Sequence, residues 1–120
     1  MKLYINRVKI CVTIPEDDVS KVRDAICAAG AGVIGNYKFC SMATKCLGTF
    51  IPIEGANPHI GSVGDLEFVK EEKLEVVCDT DLVNKIIRVL REVHPYEEPA
   101  IDIIPLIDEN CFWQNVKNMI

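Results

Sequence analysis

The protein has 120 residues, a formal net charge of −5 at pH 7 and an isoelectric point near 5.0. A composition of 49% hydrophobic and 26% charged residues is typical of one globular domain with its own core. The thirteen Lys and Arg residues are scattered, whereas phosphate recognition needs them clustered, so we exclude a nucleic-acid partner. No apolar run reaches the roughly 18 residues of a membrane span, and the N-terminus lacks a signal peptide's apolar segment. We therefore expect a cytoplasmic protein with no membrane association.

The first third of the chain predicts a strand followed by a helix. Residues 8–14 alternate apolar and polar side chains, which is the period of a half-buried strand. Pro15 and the acidic residues after it favour a helix start, because proline lacks the N–H that the first turn leaves unpaired. Residues 17–29 then carry apolar side chains at three- and four-residue steps, which predicts an amphipathic helix.

The middle of the chain predicts a hairpin and a long loop. Residues 33–43 and 46–53 are predicted as two strands joined by a turn at Thr44 and Lys45. Residues 54–65 contain only turn-forming sequence, and an unstructured loop of this length is usually functional or mobile.

The second half repeats the pattern of strand, helix and strand. Residues 66–78 predict a long strand whose charged centre, 70–73, indicates a bulge or an exposed bend. An amphipathic helix follows and ends before Pro95, because the residue preceding proline avoids helical dihedrals. Residues 100–107 form the last predicted strand, and 109–120 a short C-terminal helix.

The predicted order is β-α-β-β-α-β with an extra hairpin in the middle. This is the α+β, ferredoxin-like plan, in which two helices cover one face of an antiparallel sheet. We expect a single domain over residues 1–120, with its core in 8–107. The last strand is apolar on both faces, so its second face requires a cover, either the C-terminal helix or another subunit.

All seven glycines lie between Gly30 and Gly64, and the first three spell G-x-G-x-x-G. That motif binds dinucleotides only where it follows a strand and opens a helix. Here it follows a predicted helix and precedes a predicted strand. We therefore interpret Gly30 as the residue that ends the helix, and we predict no dinucleotide site.

Six cysteines are many for a chain of this length. None forms C-x-x-C, and neither histidine stands at zinc-finger spacing from a cysteine pair. We interpret them as reduced thiols that pack as small hydrophobic side chains. The alternative is a pairing of Cys40 with Cys46 across the predicted hairpin.

Several short motifs resemble a known family. The stretch from His94 to Pro99, HPYEEP, resembles the closing signature of CutA-type proteins. The motifs GNY at Gly35, GTF at Gly48 and GANPHIG at Gly55 are similar to the CutA/PII-like domain inserted in YqfO-type proteins. That toroidal family is also known as GTP cyclohydrolase I type 2. The resemblance runs from about Val8 to Leu106 and implies a ferredoxin-like fold and, as in PII and CutA relatives, a homotrimer.

The sequence departs from that larger family in one important respect. The family's dinuclear metal centre lies in flanking domains that these 120 residues do not include, and His59 and His94 are the only histidines. No hydrolase chemistry can be transferred to this sequence. We expect the insert domain on its own.

The glycine-rich loop is the first candidate binding site. Its glycines and Asn57 would allow backbone N–H groups to face an anion, with His59 beside them. Against this, a single exposed histidine more often has no ligand. The candidate ligand-binding residues are Gly48, Thr49, Gly55, Asn57, His59 and Gly61.

The HPYEEP stretch is the second candidate, as a divalent-metal site formed by His94, Glu97 and Glu98. The structural alternative is a turn fixed by its two prolines, with Tyr96 packed beneath it. For catalysis, Cys40 or Cys46 would need His59 or His94 as base, and no third orienting group is evident. We therefore predict no catalytic residues.

Three functions follow from these observations. The favoured one is a non-enzymatic module of CutA/PII-like type that binds a small ligand or a protein partner and acts as an oligomer. The alternative is a copper- or zinc-binding tolerance protein in the manner of CutA, with a divalent metal ion as its cofactor. A hydrolase acting on a nucleotide is a third, weaker hypothesis.

Overall fold

Four antiparallel strands and two helices form the α+β fold of residues 3–112, the part of the chain that the computed structural model describes. The elements in chain order are β1 (Arg7–Pro15), α1 (Val19–Ala28), β2 (Met42–Phe50), β3 (Glu67–Asp79), α2 (Val83–Val93) and β4 (Ile101–Leu106). A short 3-10 turn precedes each helix. The sheet order β2-β3-β1-β4 confirms the predicted ferredoxin-like plan.

Both helices pack on the same face of the sheet, and the core lies between the two layers. The alternation predicted for β1 places Val8, Ile10, Val12 and Ile14 in this core. On β3, Leu74 and Val76 stand opposite Val12 and Ile10 in the strand register. The helices contribute buried side chains at three- and four-residue steps, namely Val19, Val22, Ile26, Ile86 and Leu90.

The glycines after α1 end the helix, as predicted. The N–H of Ala31 donates to the Ile26 carbonyl and that of Gly30 to the Cys27 carbonyl, which is the Schellman pattern. Gly30 has a φ of +117°, which a residue with a side chain rarely adopts. No helix begins at this motif, so it lacks the geometry of a dinucleotide site.

The predicted hairpin over residues 33–53 is wrong. Residues 33–41 contain only a tight turn in which Ile34 and Tyr37 exchange two backbone hydrogen bonds, with Gly35 at a φ of +56°. Residues 42–50 form one strand that pairs with β3 throughout, Thr44 and Lys45 included. The turn therefore falls at Gly35, which tolerates positive φ, and not at Thr44 and Lys45, which are paired with β3.

The cysteine pairing across that hairpin is wrong for the same reason. Cys46 lies within β2, and Cys40 lies in the loop before it. Both thiols are free.

The predicted bulge in residues 70–73 is also wrong. The register of β3 runs without interruption against both β1 and β2. The charged run fits a regular strand because alternate side chains leave on opposite faces, with Glu71 and Lys73 on the face opposite the helices. A helical turn begins at Asn110, but most of the predicted C-terminal helix, 109–120, lies outside the described residues.

The second face of the sheet, which we call the open face, carries no helix among the described residues. It presents Thr13 of β1, Thr44 and Cys46 of β2, and Glu71 of β3. Since the pairing of β1 with β3 ends at Pro15 and Glu71, strands β2 and β3 continue beyond it as a two-stranded ribbon. No helix in residues 3–112 has the length and hydropathy to cross a membrane.

Candidate functional site

A cavity of about 700 Å³ lies on the open face, where the ribbon leaves the sheet. Three segments form it: the strands themselves, the glycine-rich loop 51–66, and the turn 94–100 after α2. Its lining residues are Thr13, Thr44, Cys46, Leu47, Gly48, Thr49, Phe50, Pro52, Ala56, Pro58, His59, Ile60, Glu71, Lys73, Glu75, Tyr96, Glu97, Glu98 and Ala100. The fold therefore brings the two candidate sites of the sequence into one cavity.

A buried carboxylate and a tyrosine hydroxyl form the centre of this cavity. Glu71 is only 6% exposed, and its Oε2 accepts a hydrogen bond of 3.0 Å from the Tyr96 hydroxyl. Burial raises the pKa of Tyr96, and the negative charges of Glu71 and Asp18 raise it further. Tyr96 is therefore a neutral hydrogen-bond donor at any physiological pH.

Gly48 allows the Glu71 side chain to occupy this position. The two residues lie on the open face of neighbouring strands, because Cys46 pairs with Glu71 and Gly48 is two residues further along. A Cβ at position 48 would overlap Oε1 of Glu71. Gly48 thus has a steric role, and its φ is not in the left-handed region.

His94 has no free ring nitrogen, because both make hydrogen bonds to the backbone. Its Nδ1 accepts the N–H of Tyr96 at 3.1 Å, so the proton is on Nε2, which donates to the Thr13 carbonyl at 2.9 Å. Burial is the main cause that lowers the pKa of His94. The side chain is a neutral connector that joins the turn 94–100 to β1.

Aromatic rings form one wall of the cavity around Tyr96. The Phe50 ring centroid lies 6.2 Å from that of Tyr96, and the His59 centroid lies 6.4 Å away. Both pairs are tilted, at 59° and 54°, which is a favourable arrangement for aromatic contacts. His59 itself is exposed at the mouth of the cavity.

One side-chain hydrogen bond joins two walls of the cavity, the loop 51–66 and the turn 94–100. The backbone N–H of Asn57 donates to Oε1 of Glu97 at 2.8 Å, although 40 residues separate them in the chain. This bond closes the loop 51–66 onto the turn 94–100. The glycine loop therefore presents a backbone N–H to an anion, as the sequence suggested, but the anion is a side chain of the protein.

The residues proposed for ligand binding have different positions. Gly48, Thr49 and His59 line the cavity, and Asn57 fixes its wall. Gly55 has a φ of +95° and open space around it, so its role is in the turn. Gly61 packs against Glu67, outside the lining.

The residues proposed for metal binding do not converge on one point. Glu97 and Glu98 line the cavity, but Glu97 accepts the Asn57 N–H and Glu98 lies 3.8 Å from Arg91. Both ring nitrogens of His94 are in use, so this conformation does not offer the His94 imidazole to a metal ion. Among residues 3–112, no group of three or more His, Cys, Asp or Glu side chains is arranged to hold one. In this conformation the turn 94–100 is fixed by the two hydrogen bonds of His94, and a metal site formed by His94, Glu97 and Glu98 stays a prediction.

Cys46 is the one cavity residue with a nucleophilic thiol. Burial and then the charges of Glu71 and Glu72 raise its pKa. A raised pKa disfavours the thiolate, which is the reactive form. This position is therefore poorly suited to nucleophilic catalysis.

Sequence reasoning missed Glu71, the most informative residue of the cavity. It stands in the charged run 70–73, whose charges predicted a bulge or an exposed bend. The strand period was the available signal, because it places Glu71, Lys73 and Glu75 on the same face of β3. Glu71 is buried only where another segment of the chain packs over that face. Phe50 belongs to the GTF motif and Tyr96 to the HPYEEP motif, but nothing in the sequence placed the two rings together.

The comparisons with known proteins agree with this fold. No family model matches the chain. A GTP cyclohydrolase 1 type 2 homolog from Halalkalibacterium halodurans is 46% identical over 101 residues, covering 84% of this chain but 27% of that protein. The chain thus spans about a quarter of the length of the curated relatives it matches.

Solved structures give the same result. A Bacillus cereus protein related to NIF3 superposes with a TM-score of 0.75 at 38% identity, over 86% of this chain and 26% of the other. The divalent cation tolerance protein CutA1 from Thermus thermophilus superposes at 0.63, with 17% identity and coverage of 91% and 92%. Over most of its length, therefore, the chain resembles one segment of the GTP cyclohydrolase 1 type 2 homologs and has the CutA-like fold.

Proposed function

We propose that the chain is a non-enzymatic module of CutA/PII-like type that binds a small ligand in the cavity between the loop 51–66 and the turn 94–100. The observation that carries this proposal is the cavity itself, about 700 Å³ with mainly apolar walls and a few polar groups at its centre. Small-molecule sites have this size and this composition. The supporting residues are Gly48, Glu71 and Tyr96, whose positions depend on one another.

We further propose that the module acts as an oligomer, and the trimer of the resemblance is the expected state. Large apolar side chains are exposed on β4 and on the ribbon, including Ile103, Ile104, Leu47 and Phe68. Exposed apolar surface of this extent is typical of an interface. Self-association would cover it without a separate partner protein.

A metal-handling role receives no support from the described residues. The fold is shared with a divalent cation tolerance protein, but a shared fold does not carry a site. The His94 ring is engaged on both sides, as described above. We therefore do not propose a metal function or a hydrolase function.

A screen for thermal stabilisation with a small-fragment library tests ligand binding. The informative variant is Thr44→Trp, which places a bulky ring into the cavity from an exposed position on β2. The control is Lys45→Trp, one residue further along and on the opposite face of the strand. We expect fragments that stabilise the wild type and Lys45→Trp, but not Thr44→Trp. No stabilising fragment, or equal stabilisation of both variants, would refute the proposal.

A further inference from the structure

The charges around the cavity are unbalanced. Four carboxylates line it, whereas Lys73 is the one lysine or arginine and His59 the one histidine among the lining residues. Glu75 has Lys9 at 3.8 Å, and Glu98 has Arg91 at the same distance, in both cases from outside the lining. Glu97 is held by the Asn57 N–H. Three of the carboxylates therefore have local partners.

Glu71 is the fourth carboxylate, and it has no cationic partner among residues 3–112. It is 6% exposed, and its one hydrogen bond comes from the neutral Tyr96 hydroxyl, to Oε2. Its Oε1 lies against Gly48, in the cavity wall. A buried carboxylate without a cation is costly, because a single neutral hydrogen bond replaces only part of its hydration.

The surroundings of Glu71 also favour a positive charge. Phe50 lies beside Tyr96, and the face of a Phe or Tyr ring attracts a cation within about 6 Å of the ring centroid. The charges that act on the Tyr96 hydroxyl, those of Glu71 and Asp18, are both negative. An anionic ligand would meet repulsion at this end of the cavity.

We propose that the ligand is an organic cation, with a primary ammonium or guanidinium group beside Glu71 and an apolar body along the rest of the cavity. This inference rests on the proposed ligand-binding function. The cationic head would donate to Oε1 of Glu71 and lie against the rings of Phe50 and Tyr96. The apolar body would contact Pro52, Ile60 and Ala100.

Calorimetric titration with three matched probes tests the charge of the ligand. The probes are phenethylammonium, neutral 3-phenylpropanamide and anionic 3-phenylpropanoate, which share an aromatic body. We expect the ammonium to bind at least about tenfold more tightly than the carboxylate, because a charged hydrogen bond is replaced by repulsion. Equal or tighter binding of the amide or the carboxylate would overturn the inference.

Two variants locate the charge that is responsible. Glu71→Gln keeps the shape and removes the charge, and it should weaken ammonium binding about tenfold or more. Glu72→Gln makes the same change one residue along, on the helix side of β3, and should leave binding unchanged. Unchanged binding in Glu71→Gln would contradict the inference. Should that variant fail to fold, the wild-type probe series alone decides the outcome.

The outcomes separate this inference from the function on which it rests. If only neutral or anionic probes bind, and Thr44→Trp abolishes their binding, the cavity is a ligand site but its ligand is not a cation. If no probe and no library fragment binds, the proposed function fails as well. A Lys or Arg side chain of a second copy offers the same chemistry. If the ammonium probe binds only after the oligomer dissociates, the cation beside Glu71 in the oligomer is a side chain of the second copy, and the inference that this site takes a cation is supported.

Discussion

At the scale of single residues, the site depends on the fit of Gly48 against Glu71. We predict that Gly48→Ala destabilises the protein by about 1–2 kcal/mol, because the new methyl group displaces a buried carboxylate from its hydrogen bond to Tyr96. In a Glu71→Ala background the same change should be neutral or stabilising, since alanine is preferred to glycine in a strand. Urea unfolding of the four proteins in this double-mutant cycle measures the coupling. Additive effects would contradict a direct contact.

His94 predicts a pH dependence of stability. Its pKa is lowered in the folded protein, whereas the unfolded chain titrates near the ordinary value of about 6.5. Below that pH the unfolded state takes up a proton that the folded state resists, so stability is complete above about 6.5 and falls as the solution becomes more acidic. The slope from this group is at most about 1.4 kcal/mol per pH unit.

Unfolding of two variants between pH 7.5 and 5 tests this assignment. His94→Gln should lose this part of the slope, although it also lowers stability by removing a buried connector. His59→Gln, the control, changes the exposed histidine and should keep the wild-type slope. The reverse pattern would show that the titrating group is not His94.

At the scale of elements, the cavity exists because the loop 51–66 is held to the turn 94–100. We predict that Glu97→Ala increases hydrogen exchange at the Asn57 amide by about tenfold or more, since that N–H loses its acceptor. The core amides of β1 should be unaffected. Glu98→Ala serves as the control, because it removes the neighbouring carboxylate, which lies 3.8 Å from Arg91. Equal exchange in both variants would mean that the loop is held by other contacts.

The sequence predicted the elements that its periodicity defines and missed those that depend on tertiary context. Strand β1, both helices and the Gly30 helix end follow from local patterns, and the structure confirms them. The hairpin failed because residues 33–41 are apolar enough to read as a strand although they form none. Extended sequence alone cannot show whether a neighbouring strand is present to pair with it.

The candidate site also has some features that local sequence patterns predict and others that depend on the folded chain. The glycine loop and the HPYEEP turn were recognisable as special segments, because glycine and proline restrict backbone geometry locally. Their meeting in one cavity follows from the sheet order β2-β3-β1-β4, which no local pattern specifies. The strand period could have placed Glu71 on the open face, but not shown that this position is buried, since burial depends on the segments packed over it.

At the scale of the whole molecule, the described chain is elongated and exposes much apolar surface. Its extents are 59 × 27 × 24 Å and its radius of gyration is 17.4 Å, whereas a compact domain of this size has about 13–14 Å. A two-stranded ribbon is marginally stable alone, and here it carries the exposed Leu47 and Phe68. Both features are explained if copies of the chain support one another.

We predict that the chain sediments as an oligomer, a trimer by the resemblance, at micromolar concentration. Ile104 is 45% exposed on the edge strand β4, and Ile104→Lys should shift the equilibrium toward the monomer, because a charge opposes apolar burial and edge pairing. Ser20→Lys, on the exposed side of α1, should leave the mass unchanged. Sedimentation equilibrium measures both. A wild-type monomer at these concentrations would contradict oligomer formation.

We propose above that the cavity between the loop 51–66 and the turn 94–100 is a ligand-binding site. Backbone amide NMR during titration with a stabilising fragment tests it most directly. We expect shifts concentrated at Gly48, Asn57, Glu71 and Tyr96, with little change at the turn from Ile34 to Tyr37. Shifts centred on that distant turn, or spread evenly over the molecule, would contradict it.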